Sequence, residues 1–150
     1  MKRWLVAAFF ALLPGELMAA PKIITADAAR AAQEAGEIVL IDIRQPQEWA
    51  DGGMPAGAVP LTMQDPQFGP KLMSILERAG ERRIALICRT GGRTAYLAGQ
   101  LEQAGLTDII DVSEGVYGSG AGPGWLQRGL PVELPGPETF EDRLKALSGE

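Results

Sequence analysis

Residues 84–93 read IALICRTGGR and contain the features that decide the fold. The four apolar residues 84–87 predict a strand that is buried on both faces, as in a parallel sheet. Two glycines then allow a sharp turn, and an apolar stripe at helical spacing follows, with Leu97 and Leu101 as its larger members. The segment therefore predicts a strand, a tight loop that begins at Cys88, and a helix.

The same alternation of strand and helix continues on both sides of this segment. Apolar runs predict further buried strands at 38–41 and 109–112. We predict helices at 26–35, 68–79 and 140–147, a single helical turn at 46–49, and loop at 52–60. Such alternation is typical of an α/β fold with a parallel sheet, whose ligands bind beyond the carboxyl ends of the strands. Asp42 and Cys88 each follow a predicted strand, so we expect both at that edge.

The residue inventory excludes many kinds of chemistry. The chain has no histidine and one cysteine, which excludes Ser/His/Asp and Cys/His catalysis, histidine-bearing zinc sites and multi-thiolate metal cages. It contains no P-loop, EF-hand or dinucleotide-binding motif, so we expect neither a metal nor a cofactor. A net charge of −5 argues against a nucleic-acid partner. Any catalysis must therefore use Cys88, carboxylates, arginines and backbone amides.

The beginning of the chain has the organisation of a secretory signal peptide. Lys2 and Arg3 precede the apolar run 4–13, and small residues follow at 19 and 20. We predict a signal peptide at 1–19, with cleavage after Ala20 as the alternative. Ten apolar residues are too few to span a bilayer, which takes about 20. We therefore expect a periplasmic or secreted protein with no membrane span after processing; an uncleaved anchor or a buried N-terminal helix is the alternative.

Cys88 lies where several groups favour a thiolate over a thiol. The glycines allow successive backbone N–H groups to form an anion-binding nest, and the following helix adds the positive end of its dipole. Arg89 and Arg93 add two permanent positive charges. The alternative is that Cys88 is an inert, buried residue at the end of a core strand. The flanking arginines and paired glycines favour the functional interpretation.

The segment 88–93, CRTGGR, resembles the active-site loop of rhodanese-type sulfurtransferases. Two other segments are similar to further signatures of that family: IDIR at 41–44 followed by EW at 48–49, and EGVY at 114–117 followed by GW at 124–125 and GLP at 129–131. The resemblance covers about 23–132 and implies a five-stranded parallel sheet flanked by helices. We accordingly predict a rhodanese-like domain at 21–135 and a helical extension at 136–150.

The resemblance also implies a two-step sulfur transfer without a cofactor. Cys88 would take sulfane sulfur from a small anionic donor such as thiosulfate and pass it to a thiophilic acceptor, either cyanide or a thiol. The donor and the outer sulfur would be bound by the residues Arg89, Thr90, Gly91, Gly92 and Arg93. A protein is a further candidate acceptor.

Three residues outside the loop are expected to support it. Asp42 is expected to form an ion pair with a nearby arginine, with orientation of the loop as the alternative. Arg44 and Glu48 are four residues apart and are expected to pair with each other. Elsewhere, Trp49 and Trp125 are expected in the core, whereas Glu114 and Tyr117 are candidates for the rim of the site.

Two other functions fit parts of this pattern. Cysteine phosphatases also use a thiolate in an anion-binding loop, but they place five residues between the cysteine and an arginine, and here four separate Cys88 from Arg93. A shorter loop suits one sulfur atom better than a phosphate. The second alternative is a sulfur carrier that serves one dedicated protein partner, because its chemistry at Cys88 would be the same.

Overall fold

The computed structural model describes residues 22–150, so the predicted signal peptide lies outside the described residues. The strands are β1 (Lys22–Ile24), β2 (Ile38–Asp42), β3 (Met54–Pro55), β4 (Val59–Pro60), β5 (Arg83–Ile87), β6 (Ile110–Val112) and β7 (Val132–Glu133). The helices are α1 (Ala26–Glu34), α2 (Pro46–Gly52), α3 (Phe68–Ala79), α4 (Gly92–Gln103), α5 (Gly124–Gln127) and α6 (Thr139–Ser148). Within residues 22–150, none of the helices is long and apolar enough to cross a membrane.

Five of the strands form one parallel sheet in the order β1-β6-β5-β2-β4, which confirms the predicted fold. All residues of β2 are buried, as expected for a strand covered on both faces. Because side chains alternate along a strand, Val39 and Ile41 enter one apolar cluster and Ile38 and Leu40 enter the other. Helices α3, α4 and α6 cover the first cluster, and α1, α2 and α5 cover the second.

The prediction of loop at 52–60 was wrong in detail. Met54 and Pro55 pair antiparallel with β7, and Val59 and Pro60 pair with the end of β2 as the fifth strand of the main sheet. Pairs this short are set by contacts with distant residues rather than by local pattern. Proline is tolerated at Pro60 because β4 is an edge strand, where a missing N–H breaks no second ladder.

The C-terminal helix α6 packs on the body of the domain. Leu144 is buried, and Phe140 and Leu147 contact the same apolar cluster as Leu72 and Ile75 of α3. The predicted helix at 140–147 is confirmed. The predicted domain boundary between residues 135 and 136 stays a prediction.

Candidate active site

The loop after β5 brings a buried sulfur to the start of α4. Cys88 follows Ile87, the last residue of the strand, and its side chain is only 1% exposed. The chain turns at Gly91, which has φ of 88° and precedes the first residue of α4. The Gly91 N–H donates to the Cys88 sulfur at 3.2 Å. The nucleophile candidate therefore lies against a fixed backbone donor and a helix N-terminus, which both favour negative charge on sulfur.

The loop rests on the turn that follows β6. The Val116 N–H donates to the Cys88 carbonyl at 2.9 Å, and the Tyr117 N–H donates to the Arg89 carbonyl at 3.0 Å. Gly91 lies so close to this turn that a Cβ would overlap the Ser113 carbonyl oxygen and lie 3.0 Å from its carbon. The turn thus fixes the position of the loop relative to the carboxyl edge of the sheet.

Gly115 makes the same close approach from the side of the turn. A Cβ there would overlap the Arg89 carbonyl oxygen and lie 2.7 Å from the Thr90 nitrogen, and its φ is 70°. Glycine is required at Gly91 and Gly115 by both backbone angle and space. Gly92 differs, because nothing lies within 4 Å of a Cβ placed there. Only one of the two loop glycines is therefore structurally constrained.

The Arg93 side chain pairs with Glu48 of α2. Its two terminal nitrogens contact the two carboxylate oxygens at 2.7 and 2.8 Å. The hydrogen bond from Arg93 is the main reason that the pKa of Glu48 falls to about 2, and burial partly opposes it. The Gln45 N–H also donates to this carboxylate at 2.9 Å, which caps α2. The pair therefore ties α2 to the first turn of α4.

Asp42 and Arg44 form a buried ion pair at the end of β2. Both side chains are 0% exposed, and the shortest nitrogen–oxygen distance is 2.7 Å. Arg44 also donates to the carbonyl oxygens of Gly53 and Glu48, at 2.7 and 3.4 Å. The expected ion pair between Arg44 and Glu48 is wrong. Arg44 lies before the start of α2, so the four-residue spacing of a helix does not apply to it. Instead, Arg44 pairs with Asp42, and Glu48 pairs with Arg93.

Arg89 and Thr90 form the exposed surface of the loop. The Arg89 guanidinium lies over the Tyr117 ring, 4.6 Å from its centre, and it has no ion-pair partner within residues 22–150. It is therefore a cation of the loop after Cys88 that remains available to an anion, whereas the charge of Arg93 is compensated by Glu48.

Glu114 does not lie at the rim of the site. It is 1% exposed and accepts from Arg128 at 2.6 and 2.8 Å. It also accepts from the backbone N–H of Ala26 at 3.3 Å and of Gly124 at 3.2 Å, so it caps α1 and fixes the segment before α5. Arg128 is the main reason that the pKa of Glu114 is lowered. Its role is thus structural.

The two tryptophans lie in the core, as expected. Trp125 is 0% exposed and Trp49 is 8% exposed. Trp49 also borders a cavity of about 560 Å³ between α2, the chain after β4 and residues 134–140, whose walls do not include Cys88. This cavity is separate from the candidate site.

Sequence reasoning missed Thr94, the buried residue whose hydroxyl lies 3.6 Å from the Cys88 sulfur. The same hydroxyl donates to the Gly91 carbonyl at 2.9 Å, which braces the turn. The available signal was a hydroxyl residue in the first turn of the helix after the loop. Within residues 22–150, no group of three or more His, Cys, Asp or Glu side chains is placed to hold a metal ion.

A comparison with protein-family models matches residues 25–119 to the rhodanese-like domain. The chain belongs to the rhodanese-like domain family. A sulfurtransferase of Allochromatium vinosum is 29% identical over 99 residues, which are 66% of this chain and 81% of that protein. An uncharacterised protein of Rickettsia prowazekii is 28% identical over 101 residues, covering 63% of this chain and 82% of its own length.

Solved structures show the same rhodanese-like fold. A rhodanese-like domain protein of Staphylococcus aureus matches with a TM-score of 0.56 at 24% identity, over 75% of this chain and 98% of its own. A protein of M. tuberculosis matches with a TM-score of 0.59 at 24% identity, over 78% and 100%. A third, from Rhodopseudomonas palustris, is described as a protein of unknown function and possible tyrosine phosphatase; it matches at 0.57 and 24%, over 75% and 85%. At these identities the likeness concerns the fold alone. The family and the Allochromatium relative support a general sulfurtransferase-type role.

Proposed function

We propose that this protein is a sulfurtransferase that carries sulfane sulfur on Cys88 as a persulfide. The observation that supports this most directly is the contact of the Cys88 sulfur with the Gly91 N–H at 3.2 Å, at the start of α4. Cys88 is the only cysteine in the sequence, so no resolving thiol competes for the transferred sulfur. The proposed donor is a small sulfur anion such as thiosulfate.

The first step needs no general base. The Cys88 thiolate attacks the outer sulfur of thiosulfate, the sulfur–sulfur bond of the donor breaks, and sulfite leaves with the bonding electron pair. A persulfide anion remains on Cys88. The first-turn N–H groups of a helix lack intrahelical acceptors, so those of α4 can donate to this anion. Arg89, the exposed cation of the loop, attracts the anionic donor.

The second step restores the thiolate. A thiophilic acceptor, cyanide or a thiolate, attacks the outer sulfur of the persulfide, and the Cys88 sulfur leaves with the electron pair. The product is thiocyanate or a new persulfide on the acceptor. A protein thiol fits the same chemistry, since the loop residues Arg89 and Thr90 are exposed.

The cysteine phosphatase alternative is less well supported. Four residues separate Cys88 from Arg93, and the Arg93 guanidinium is held by both oxygens of Glu48. A phosphatase arginine must instead grip the oxygens of a phosphoryl group inside the loop. Breaking the pair with Glu48 to reach a phosphate would cost the energy of that pair. Activity on an aryl phosphate should therefore be negligible.

We also propose that the protein acts in the periplasm or outside the cell. The support is the basic start, the apolar run at 4–13 and the small residues before Pro21. Intact-mass measurement of the protein isolated from cell fractions tests this proposal. Loss of residues 1–19 or 1–20 is expected, and a full-length chain in the cytosol would contradict it.

The decisive experiment for the function is intact-mass spectrometry before and after thiosulfate. The wild type should gain the mass of one sulfur atom and lose it on addition of cyanide, whereas Cys88→Ser should show no gain and no turnover. Rapid turnover with thiosulfate and cyanide supports an enzyme, and a stable persulfide with negligible turnover supports a dedicated carrier. Sulfur transfer by the serine variant would overturn the proposal.

A further inference from the structure

Tyr117 is a half-buried aromatic residue in the turn after β6, and three contacts fix its place. Its backbone N–H donates to the Arg89 carbonyl at 3.0 Å. Its side chain packs against the second apolar cluster, which contains Trp125. Its hydroxyl lies so close to Gly52, the last residue of α2, that a Cβ on Gly52 would overlap it. The ring therefore has a defined position between the loop and α2.

The ring in turn holds a cation. The Arg89 guanidinium lies 4.6 Å from the ring centre, and an aromatic face attracts a cation within about 6 Å. The N–H donors of a guanidinium lie in its own plane, so contact with a ring face leaves several of them free for an anion. Arg89 has no ion-pair partner within residues 22–150. Tyr117 thus restrains an arginine that still has donors to offer.

The position of this arginine matters because the chain as a whole repels anions. The net charge is −5, so an anionic sulfur donor approaches a protein of like charge. Arg89 is exposed and directly follows Cys88. A free arginine side chain samples many rotamers, and binding an anion costs the entropy of fixing one of them. A ring that restrains the guanidinium reduces this cost before the donor arrives.

We propose that Tyr117 is a positioning residue of the sulfur site, which holds the Arg89 guanidinium ready for an incoming anion and so makes the site selective for anionic over neutral sulfur donors. The inference rests on the proposed function of Cys88, and it assigns donor selectivity to a residue outside the loop 88–93. Tyr117 acts through Arg89 rather than by contact with the reacting sulfur.

The test compares alkylation of Cys88 by iodoacetate, an anion, and by iodoacetamide, a neutral reagent of nearly the same size. In both reactions the thiolate attacks the methylene carbon, a sulfur–carbon bond forms, and iodide leaves with the electron pair of the carbon–iodine bond. The chain has one cysteine, so both rates report a single site. Because both reactions use the same thiolate, the ratio of the iodoacetate rate to the iodoacetamide rate cancels changes in the amount of thiolate. The ratio therefore measures the attraction of an anion to the site.

Tyr117→Leu keeps an apolar side chain but removes the ring. A contact between a cation and an aromatic ring at an exposed site changes an equilibrium by about two- to fivefold, so the rate ratio should fall by that factor. Tyr117→Phe keeps the ring and should change the ratio by less than about 1.5-fold. Tyr96→Leu is the matched control: it changes the other tyrosine of the chain, which is exposed on α4, and should leave the ratio unchanged.

Arg89→Gln tests whether the effect of Tyr117 passes through the cation. It removes the charge and should lower the rate ratio at least as much as Tyr117→Leu does. In the Arg89→Gln background, Tyr117→Leu should change the ratio by less than about 1.5-fold, because the ring no longer has a cation to hold. An unchanged ratio in Tyr117→Leu, or an equal fall with and without the arginine, would overturn the inference.

Gly52→Ala tests the same contact from α2 and remains informative if Tyr117→Leu does not fold. The new Cβ would overlap the Tyr117 hydroxyl and lie 3.1 Å from the ring carbon that carries it, so the ring must move and the rate ratio should fall. Tyr117→Phe removes the overlapping oxygen, so adding it to Gly52→Ala should restore most of the lost ratio. A loss that phenylalanine does not restore would contradict the inference.

Steady-state kinetics with thiosulfate extend the test to the proposed reaction. Tyr117→Leu should raise the KM for thiosulfate by about two- to fivefold and change kcat by less than about twofold, because the ring supports donor binding rather than the chemistry at the sulfur. A fall in kcat with an unchanged KM would count against this role. Absence of a persulfide after thiosulfate would overturn the proposed function alone, because the alkylation ratio does not depend on sulfur transfer.

Discussion

The two adjacent glycines of the loop give a sharp test of what holds the sulfur site. Gly91→Ala and Gly92→Ala make the same chemical change at neighbouring positions, and both keep every backbone N–H. At Gly91 the new Cβ would overlap the Ser113 carbonyl oxygen, in a residue with φ of 88°. At Gly92 nothing lies within 4 Å of the new atom. Comparing the two variants therefore separates the effect of displacing the loop from the effect of replacing a glycine by alanine.

The expected cost at Gly91 has two parts. Alanine in the left-handed region costs about 1–2 kcal/mol. Forcing an atom into filled space typically costs about 1–3 kcal/mol, because the loop or the turn must move. The free energy of unfolding should therefore fall by about 2–5 kcal/mol. At Gly92, in the first turn of α4, alanine should be neutral or stabilising by up to about 1 kcal/mol.

Sulfur-transfer activity should fall when the loop is displaced. Displacing Gly91 lengthens the 3.2 Å contact between its N–H and the Cys88 sulfur. Loss of about 1.4 kcal/mol of stabilisation lowers the rate tenfold, so Gly91→Ala should lose at least about tenfold in sulfur transfer. In Gly115→Ala the new Cβ would overlap the backbone of the same loop from the side of the turn, so this variant should behave like Gly91→Ala.

Urea unfolding measures the stability of these variants, and steady-state transfer from thiosulfate to cyanide measures their function. Gly92→Ala is the matched control in both assays. The reasoning fails if Gly91→Ala is as stable and as active as Gly92→Ala, because the contact with the Ser113 carbonyl would then not fix the loop.

Two further predictions concern charged contacts. Because the pKa of Glu48 is about 2 in the fold and about 4.5 in the unfolded chain, its pair with Arg93 stabilises the fold fully above pH 4.5 and loses that contribution as the pH falls towards 2. In urea unfolding, Glu48→Gln should be less stable by roughly 1–2 kcal/mol at pH 7, and the gap should close between pH 4.5 and 2; a gap that stays constant to pH 2 would contradict this. Glu114→Gln removes the charge opposite Arg128 and should lower the free energy of unfolding by about 2–3 kcal/mol in the same assay. The control Glu81→Gln changes an exposed residue and should lower it by less than about 0.5 kcal/mol. Equal effects of the two changes would refute a structural role for Glu114.

The fold was predictable where local pattern and burial agree. The run 84–87 followed by glycines predicted β5, the loop and α4, and the periodic stripe at 68–79 predicted α3 with the same limits that the structure shows. Strands β1, β3, β4 and β7 have two or three residues each. Such strands carry too few residues for an alternating pattern, and they exist because distant partners supply their hydrogen bonds.

The side-chain pairs of the site were less predictable, because they join distant segments. Glu48 and Arg93 are 45 residues apart in sequence and meet only because α2 and α4 both start at the carboxyl edge of the sheet. Spacing suggested Arg44 as the partner of Glu48, but that rule requires both residues to lie in one helix. The position of Thr94 beside the sulfur also depends on how tightly the loop turns, which the sequence indicates only through its glycines.

These pairings change the source of anion stabilisation at Cys88. The sequence suggested that two arginines supply it, yet Glu48 compensates Arg93, and Asp42 compensates the buried Arg44. What remains is the Gly91 N–H on the sulfur, the start of α4, and Arg89 at the surface of the loop. Backbone donors have fixed positions and suit a single small atom, whereas a tetrahedral oxyanion needs several donors spread around it. This arrangement supports the proposed preference for sulfur over phosphate for a reason beyond the length of the loop, because the Arg93 guanidinium is already bound to a carboxylate.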